Sequence, residues 1–243
     1  MSAGLRVVRA EIAKLAGLPS CWLGATLAAF GGPSLGFALR GTPSVSGNRG
    51  FDELMIGLVG VVVLAVAAAG SEYSADTALM SGHATGSRQM VTSLLAVPRR
   101  GRVLAAKAVA VTVTTLGLAV VAVPLTMLVT RGGLDRDLAG RYVGVSLYWV
   151  LMALLALAIA ALARGVVVPM VALLANMTLV SVTFLLTRLT TLAYYLPDMA
   201  GAHLFARNGL FEQFSPVTGG LVMAAWTAVL LVAAGVAFDR RDA

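Results

Sequence analysis

Few side chains in this sequence are able to do chemistry, and their spacing narrows what that chemistry is. Cys21 is the single cysteine and has no intramolecular disulfide partner, and with His83 and His203 as the two histidines no cluster has metal-site spacing. No metal, redox centre or other cofactor is expected, and no residue is assigned as catalytic. No GxxxxGK[ST] occurs, so a nucleotide has no P-loop to enter. Asp and Glu are absent from the interior of every long apolar run; Glu72 and Asp76 fall just beyond one. That pattern leaves no Asp pair or His to activate a nucleophile inside a membrane, no carboxylate cluster for a divalent metal, and no evident group to carry a coupling proton.

Polar groups inside the apolar runs are Thr112, Thr114 and Thr115 in one and Asn176, Thr178, Ser181 and Thr183 in another. Asn176 is the most costly of them in lipid and should face other helices. Interhelical hydrogen bonding, worth about 0.6 kcal/mol per contact, is the plainer role. The alternative is that Asn176, Thr178 and Ser181 line a path for a substrate. Positive charge, by contrast, is crowded into LLAVPRRGRVLAAKAVAV, where Arg99, Arg100 and Arg102 separate two apolar stretches and Lys107 stands alone in the second. Placing each arginine at a bilayer centre would cost roughly 2.5–3.5 kcal/mol, so the cluster marks the start of a membrane helix, with Lys107 snorkelling back to the headgroups.

The elements that position these residues follow from composition. Hydrophobic residues make up 59% of the chain and charged ones 12%, with a mean hydropathy of +0.90, which defines an integral membrane protein. A span needs about 20 apolar residues. Six runs qualify: Ser20 to Leu39, Leu54 to Gly70, Val103 to Val129, Val143 to Ala163, Val166 to Thr187 and Thr218 to Phe238. The first is interrupted by Gly31, Gly32 and Pro33 and is expected to kink, and it reads as a retained span. Gly57 with Gly60, and Ala153, Ala156, Leu157, Ala160 and Ala161, have the spacing of closely packed helices. The expected fold is all-α, a single transmembrane domain over residues 1–243.

Six spans put both termini on one side. That side holds eleven basic residues: Arg6, Arg9, Lys14, Arg88, Arg99, Arg100, Arg102, Lys107, Arg164, Arg240 and Arg241. The other holds seven, Arg40, Arg49, Arg131, Arg136, Arg141, Arg188 and Arg207. Eleven against seven places both termini in the cytoplasm, in a plasma membrane, and topology accounts for the net charge of +7 without invoking nucleic acid. Residues 1–18, with Leu5, Val8, Ile12 and Leu15 on one stripe and Arg6, Arg9 and Lys14 opposite, read as an interfacial helix in contact with lipid headgroups.

Two connections are long. Residues 71–102 form a cytoplasmic segment in which Ser87 to Val97 is amphipathic, with Met90, Val91, Leu94 and Leu95 on one stripe and Arg88 off it, ended by Pro98. Such a helix either lies at the lipid surface or docks on a partner protein. Residues 188–217 form an external segment carrying Tyr194, Tyr195, Phe205, Phe211 and Phe214, either an aromatic anchoring belt or a short re-entrant pair of helices.

Taken together, RAEIAKL, SEY after the second run, SLLAVPRRGRVLAAK entering the third, YLPDMAG and the final RRDA resemble the permease subunits of type-2 ABC exporters. The resemblance extends over the whole chain and is most specific between Glu72 and Lys107. There the family carries a Glu, a Gly-Thr/Ser-x-Arg helix, a Pro followed by basic residues and a Lys, matched here by Glu72, Gly86-Ser87-Arg88, Pro98 with Arg99 and Arg100, and Lys107. About ten extra residues, ADTALMSGHA, separate the first two of these elements. The resemblance implies that 71–102 is a coupling loop, with Glu72, Arg88, Met90, Val91, Leu94, Leu95, Arg99 and Arg100 facing a separate ATPase subunit. It also implies two ATPases and a second permease, identical or homologous, and leaves the exported substrate open. Two alternatives from other classes stay open: a membrane scaffold or sensor that docks a partner without moving anything, and an ion-coupled secondary transporter.

Overall fold

The computed structural model describes residues 3–42, 47–70, 100–178, 182–207 and 214–240. Nine α-helices are found among them: α1 (Ala3–Gly17), α2 (Pro19–Ala38), α3 (Phe51–Gly70), α4 (Arg100–Arg131), α5 (Ala139–Ala163), α6 (Val167–Thr178), α7 (Val182–Thr187), α8 (Pro197–Ala202) and α9 (Pro216–Arg240). Short 3-10 turns at Arg136–Leu138 and Thr191–Tyr195 precede α5 and α8, and no strand occurs among the described residues. Four helices are long and apolar enough to cross a membrane, over Phe51–Gly70, Val103–Arg131, Arg136–Ala163 and Pro216–Ala237, and a fifth span is counted if α1 and α2 are taken as one bent unit. The chain is thus an all-helical membrane protein with four to five such elements by length and composition.

The elbow between α1 and α2 is written in the sequence. Pro19 supplies a preset φ for the first residue of α2 and pushes Leu18 into an extended conformation (φ −96°, ψ 120°). The two helix axes meet at 85°. Trp22 Nε1 closes the corner by donating to the Ala16 carbonyl at 2.7 Å. Within the protein, α1 turns Glu11 and Leu15 inward and leaves Ile12 exposed.

α3 is the most enclosed of the four long helices, packed by α2, α4, α5 and α6. Its closest neighbour is α2, and the approach depends on glycine. A Cβ on Gly24 would lie 2.7 Å from the Gly60 carbonyl oxygen, and one on Gly57 would lie 2.8 Å from the Ala28 carbonyl and 2.6 Å from the Trp149 ring of α5. The backbones therefore meet with no side chain between them, the arrangement expected from the Gly57/Gly60 spacing. The small stripe of α5 is buried as expected, at Ala153, Ala156, Leu157, Ala160 and Ala161. α2 runs through Gly31, Gly32 and Pro33 as one continuous helix.

The fifth apolar run departs from expectation. It holds two helices, α6 and α7, on either side of residues 179–181, which lie outside the described residues. Thr183 N donates to Asn176 Oδ1 at 3.4 Å, whereas seven residues of unbroken helix would separate these positions by about 10 Å along the axis. α6 and α7 are not one straight rod.

Candidate functional site

Three polar constellations lie among the described helices. The first joins α1, α3 and α4. Lys107, seven residues into α4, projects onto the last turn of α3 and donates to the Ala68 carbonyl at 2.7 Å. Its Nζ also lies 3.1 Å from Glu11 Oε2, and Lys14 Nζ lies 2.6 Å from Glu11 Oε1. Glu11 is 3% exposed and Lys107 4%. Lys107 does not snorkel to the headgroups, because a carboxylate from α1 and a helix-end carbonyl offer its ammonium partners inside. Burial pushes the Glu11 carboxyl upward, but the Lys107 charge, followed by the hydrogen bond and charge of Lys14, outweighs it and holds the group below its ordinary value. The Glu11 charge explains why α1 turns this face inward.

At the opposite end of α3, Arg141 of α5 is buried and donates through Nη2 to Asn48 Oδ1 at 2.6 Å and through Nε to the Phe205 carbonyl at 2.6 Å. Its guanidinium stacks on Phe51, 3.9 Å from the ring centroid, and Arg207 N also donates to Asn48 Oδ1. Arg131 Nε donates to the Arg49 carbonyl at the same end. Arg49, Arg131 and Arg141 thus gather at one end of α3, and Lys14 and Lys107 at the other.

The third constellation assembles around Asn176. Its Nδ2 donates to Asp198 Oδ2 at 2.9 Å, and its Oδ1 lies 3.1 Å from Thr183 Oγ1. Thr183 Oγ1 also makes a short hydrogen bond to Asp198 Oδ2, and Asp198 Oδ1 accepts from Met199 N at 2.9 Å. Asp198 arrives here because the segment 191–206 folds back along α5 and α9. Trp226 Nε1 donates to the Tyr195 carbonyl at 2.9 Å, and a Cβ on Gly201 would meet Tyr148 and Met223, one on Gly144 the Leu204 carbonyl. Pro197 and Asp198 open α8 with a preset φ and an acidic first turn. Three elements, α6, α7 and α8, therefore converge on one half-buried carboxylate.

The expected docking residues Glu72, Arg88, Met90, Val91, Leu94, Leu95 and Arg99 lie outside the described residues. Arg100 begins α4, with its side chain likewise not described. Of the three substrate-path residues, Asn176 is placed inside the bundle, Thr178 ends α6 with an undescribed side chain, and Ser181 is outside the described residues. In α4, Thr114 Oγ1 bonds back to Ala110 of its own helix, not across to a neighbour. The apolar runs themselves hold no carboxylate, but Asp198 reaches Asn176 from the connecting segment, a contact across 22 residues that no local pattern carries. The Pro197-Asp198 helix start was the available signal. Lys107 with Glu11 was equally missed, and there the signal was a lone charge on the apolar side of each helix.

Class and fold define a membrane protein, all-helical among the described residues, with these three polar centres. Comparison with models of protein families, with curated proteins and with solved structures finds no match.

Proposed function

We propose that this chain is the permease subunit of an ATP-driven exporter of the type-2 ABC class. In this reading it sits in the plasma membrane with both termini cytoplasmic, crosses it six times, and pairs with a second permease, identical or homologous. Two copies of a separate ATPase dock on residues 71–102. The observation that carries the reading is the Glu11–Lys107–Ala68 linkage. It ties the last turn of α3 to the first turns of α4, the two stems from which residues 71–99 extend, and fastens α1 to both. A partner that moved those residues would therefore move three helices together. The sequence resemblance supplies the identity of the partner, and the lack of a P-loop requires that the energy come from outside the chain.

The test is co-purification and flux. Wild-type chain should retain an ATPase on purification and, reconstituted with it in vesicles, should support ATP-dependent export. The Leu94→Asp/Leu95→Asp variant should insert normally and lose the ATPase. An ATPase that stays bound to that variant, or transport that continues after the ATPase is disabled, refutes the proposal.

A further inference from the structure

Arg49, Arg131, Arg141 and Arg207 meet where α3 begins, and no part of the proposed function uses them. Arg141 and Arg131 stand over the same Phe51 ring, their guanidinium carbons 3.9 and 5.9 Å from its centroid, so the two charges are at most about 10 Å apart. Arg131 Nε donates to the Arg49 carbonyl, and Arg207 N shares Asn48 Oδ1 with Arg141 Nη2. Among the described residues none of the four arginines is ion-paired; the ion pairs found there are those of Glu11. Of the carboxylates nearby, Glu53 is buried and accepts from Gly50 N, Asp135 Oδ1 accepts from Asp137 N, and Asp52 is exposed.

The geometry points to a site for a phosphate group at Arg131 and Arg141, with Arg49 and Arg207 beside them. Arg141 is only 8% exposed, yet Nε and one Nη2 hydrogen are the donors it uses, which leaves three of a guanidinium's five N–H groups without an acceptor among the described residues. Arg49 Nε is likewise buried with no hydrogen-bond partner there. Buried donors almost always have acceptors, and because these donors belong to cations, the acceptor that completes them is an anion. A guanidinium fork matches the oxygens of a phosphate two at a time, and the stack on Phe51 fixes the plane of the Arg141 fork. Position selects phosphate over a carboxylate. Arg131 closes α4, Phe51 opens α3 and Ala139 opens α5, so the cluster stands at the ends of three helices long enough to span, the level at which headgroup phosphates border the hydrocarbon. Leu128, just before Arg131, and Val143, just after Arg141, are exposed and offer acyl chains an apolar surface beside the charges. A phospholipid headgroup therefore fits, and a soluble phosphate ester has the same chemistry. Because the site lies within this chain, it does not depend on the ATPase reading.

The experiment uses the purified full-length chain in dodecyl maltoside and phosphate-free buffer. Binding of radiolabelled phosphatidylglycerol is followed beside the thermal unfolding midpoint, with diacylglycerol of the same chains and soluble glycerol phosphate as the other arms. Wild type should bind phosphatidylglycerol saturably with a matching rise in midpoint, and diacylglycerol should produce neither. Glycerol phosphate that binds and displaces the lipid supports the phosphate site and admits the soluble source; lipid binding that glycerol phosphate leaves intact supports it and assigns the source to the membrane. Arg131→Gln, at an exposed side chain, should raise half-saturation about tenfold to a hundredfold, the worth of one charged hydrogen-bonding partner. Arg141→Lys, which keeps the charge and loses the fork, should do the same, and Arg131→Gln decides the matter if that variant does not fold. Arg188→Gln, at an arginine outside the cluster that stacks on Phe184, should leave half-saturation unchanged. Absence of saturable binding of both phosphate compounds overturns the inference, as does equal binding of diacylglycerol or unchanged affinity in Arg131→Gln. An equal loss in Arg188→Gln shows a diffuse attraction to positive charge and likewise overturns it.

Discussion

Replacing Glu11 by Gln leaves the Lys107 ammonium 4% exposed and without the carboxylate 3.1 Å away. Removing one partner of a buried pair typically costs about 3–5 kcal/mol, because the remaining charge stays desolvated. Lys107→Met should cost less, toward the lower end of that range, since Glu11 keeps the Lys14 ammonium at 2.6 Å and that side chain is 29% exposed to solvent. Removing both charges together, in Glu11→Leu/Lys107→Met, should recover most of the loss, as buried pairs replaced by apolar side chains usually do. The assay is reversible unfolding of purified protein in mixed detergent, analysed as a double-mutant cycle. The same pair sets a pH dependence. The Glu11 carboxyl is held below its ordinary value of 4.5 when folded, so its contribution is complete above that value and is lost as pH falls through the lower folded one. Wild type should therefore lose stability on acidification below about 4.5, and Glu11→Gln should lack that component. A double variant whose loss equals the sum of the single ones, or a Glu11→Gln protein as stable as wild type, would refute the linkage.

The proposed topology is checked in a Cys21→Ala background by single cysteines at Thr42 and Leu134, both exposed. An impermeant thiol reagent should label these in intact cells and should leave cysteines at Gly86 and Asp242 unlabelled; the reverse pattern inverts the membrane orientation. At the α2/α3 contact, a Cβ on Gly60 would run into the Ala28 nitrogen and the Gly24 carbonyl, so Gly60→Ala should cost about 1–3 kcal/mol in the same unfolding assay. Gly117, which has open space around it, is the control and should tolerate alanine.

The long helices were legible because their signal is local. Apolar length and flanking charge place α2, α3, α5 and α9 within a few residues, and Pro19 marks the elbow. The glycine seam was legible for the same reason, since Gly57 and Gly60 carry their spacing on one helix. What escaped were pairings made across the chain. Glu11 meets Lys107 and Asp198 meets Asn176 only after distant elements fold together. Reading each apolar run alone, a lysine inside it has no partner and is sent to the headgroups, and a carboxylate outside it is left outside. Asn176 was legible as a residue needing company, and its partner was not. The fifth run reads as one apolar stretch because an apolar count tolerates the Asn176, Thr178 and Thr183 within it, although Asn and Thr compete with helical hydrogen bonds.

The position of α3 has a consequence in time. In its most apolar stretch 83% of residues are buried within the protein, against 22% for α9, so in the finished bundle α3 meets other helices and hardly any lipid. Yet α4, α5, α6 and α9, which help to enclose the bundle, all follow it along the chain and are synthesised later. Until they emerge, α3 must reside in lipid with α2 as its nearby companion, and lipid admits only a helix that is apolar on every side. Folding then exchanges acyl chains for helices around a surface that is equally apolar before and after, so the exchange is driven by close packing and not by a change of solvent. The continuous run of valine, leucine and alanine serves the waiting stage, and Gly57 and Gly60 serve the final one.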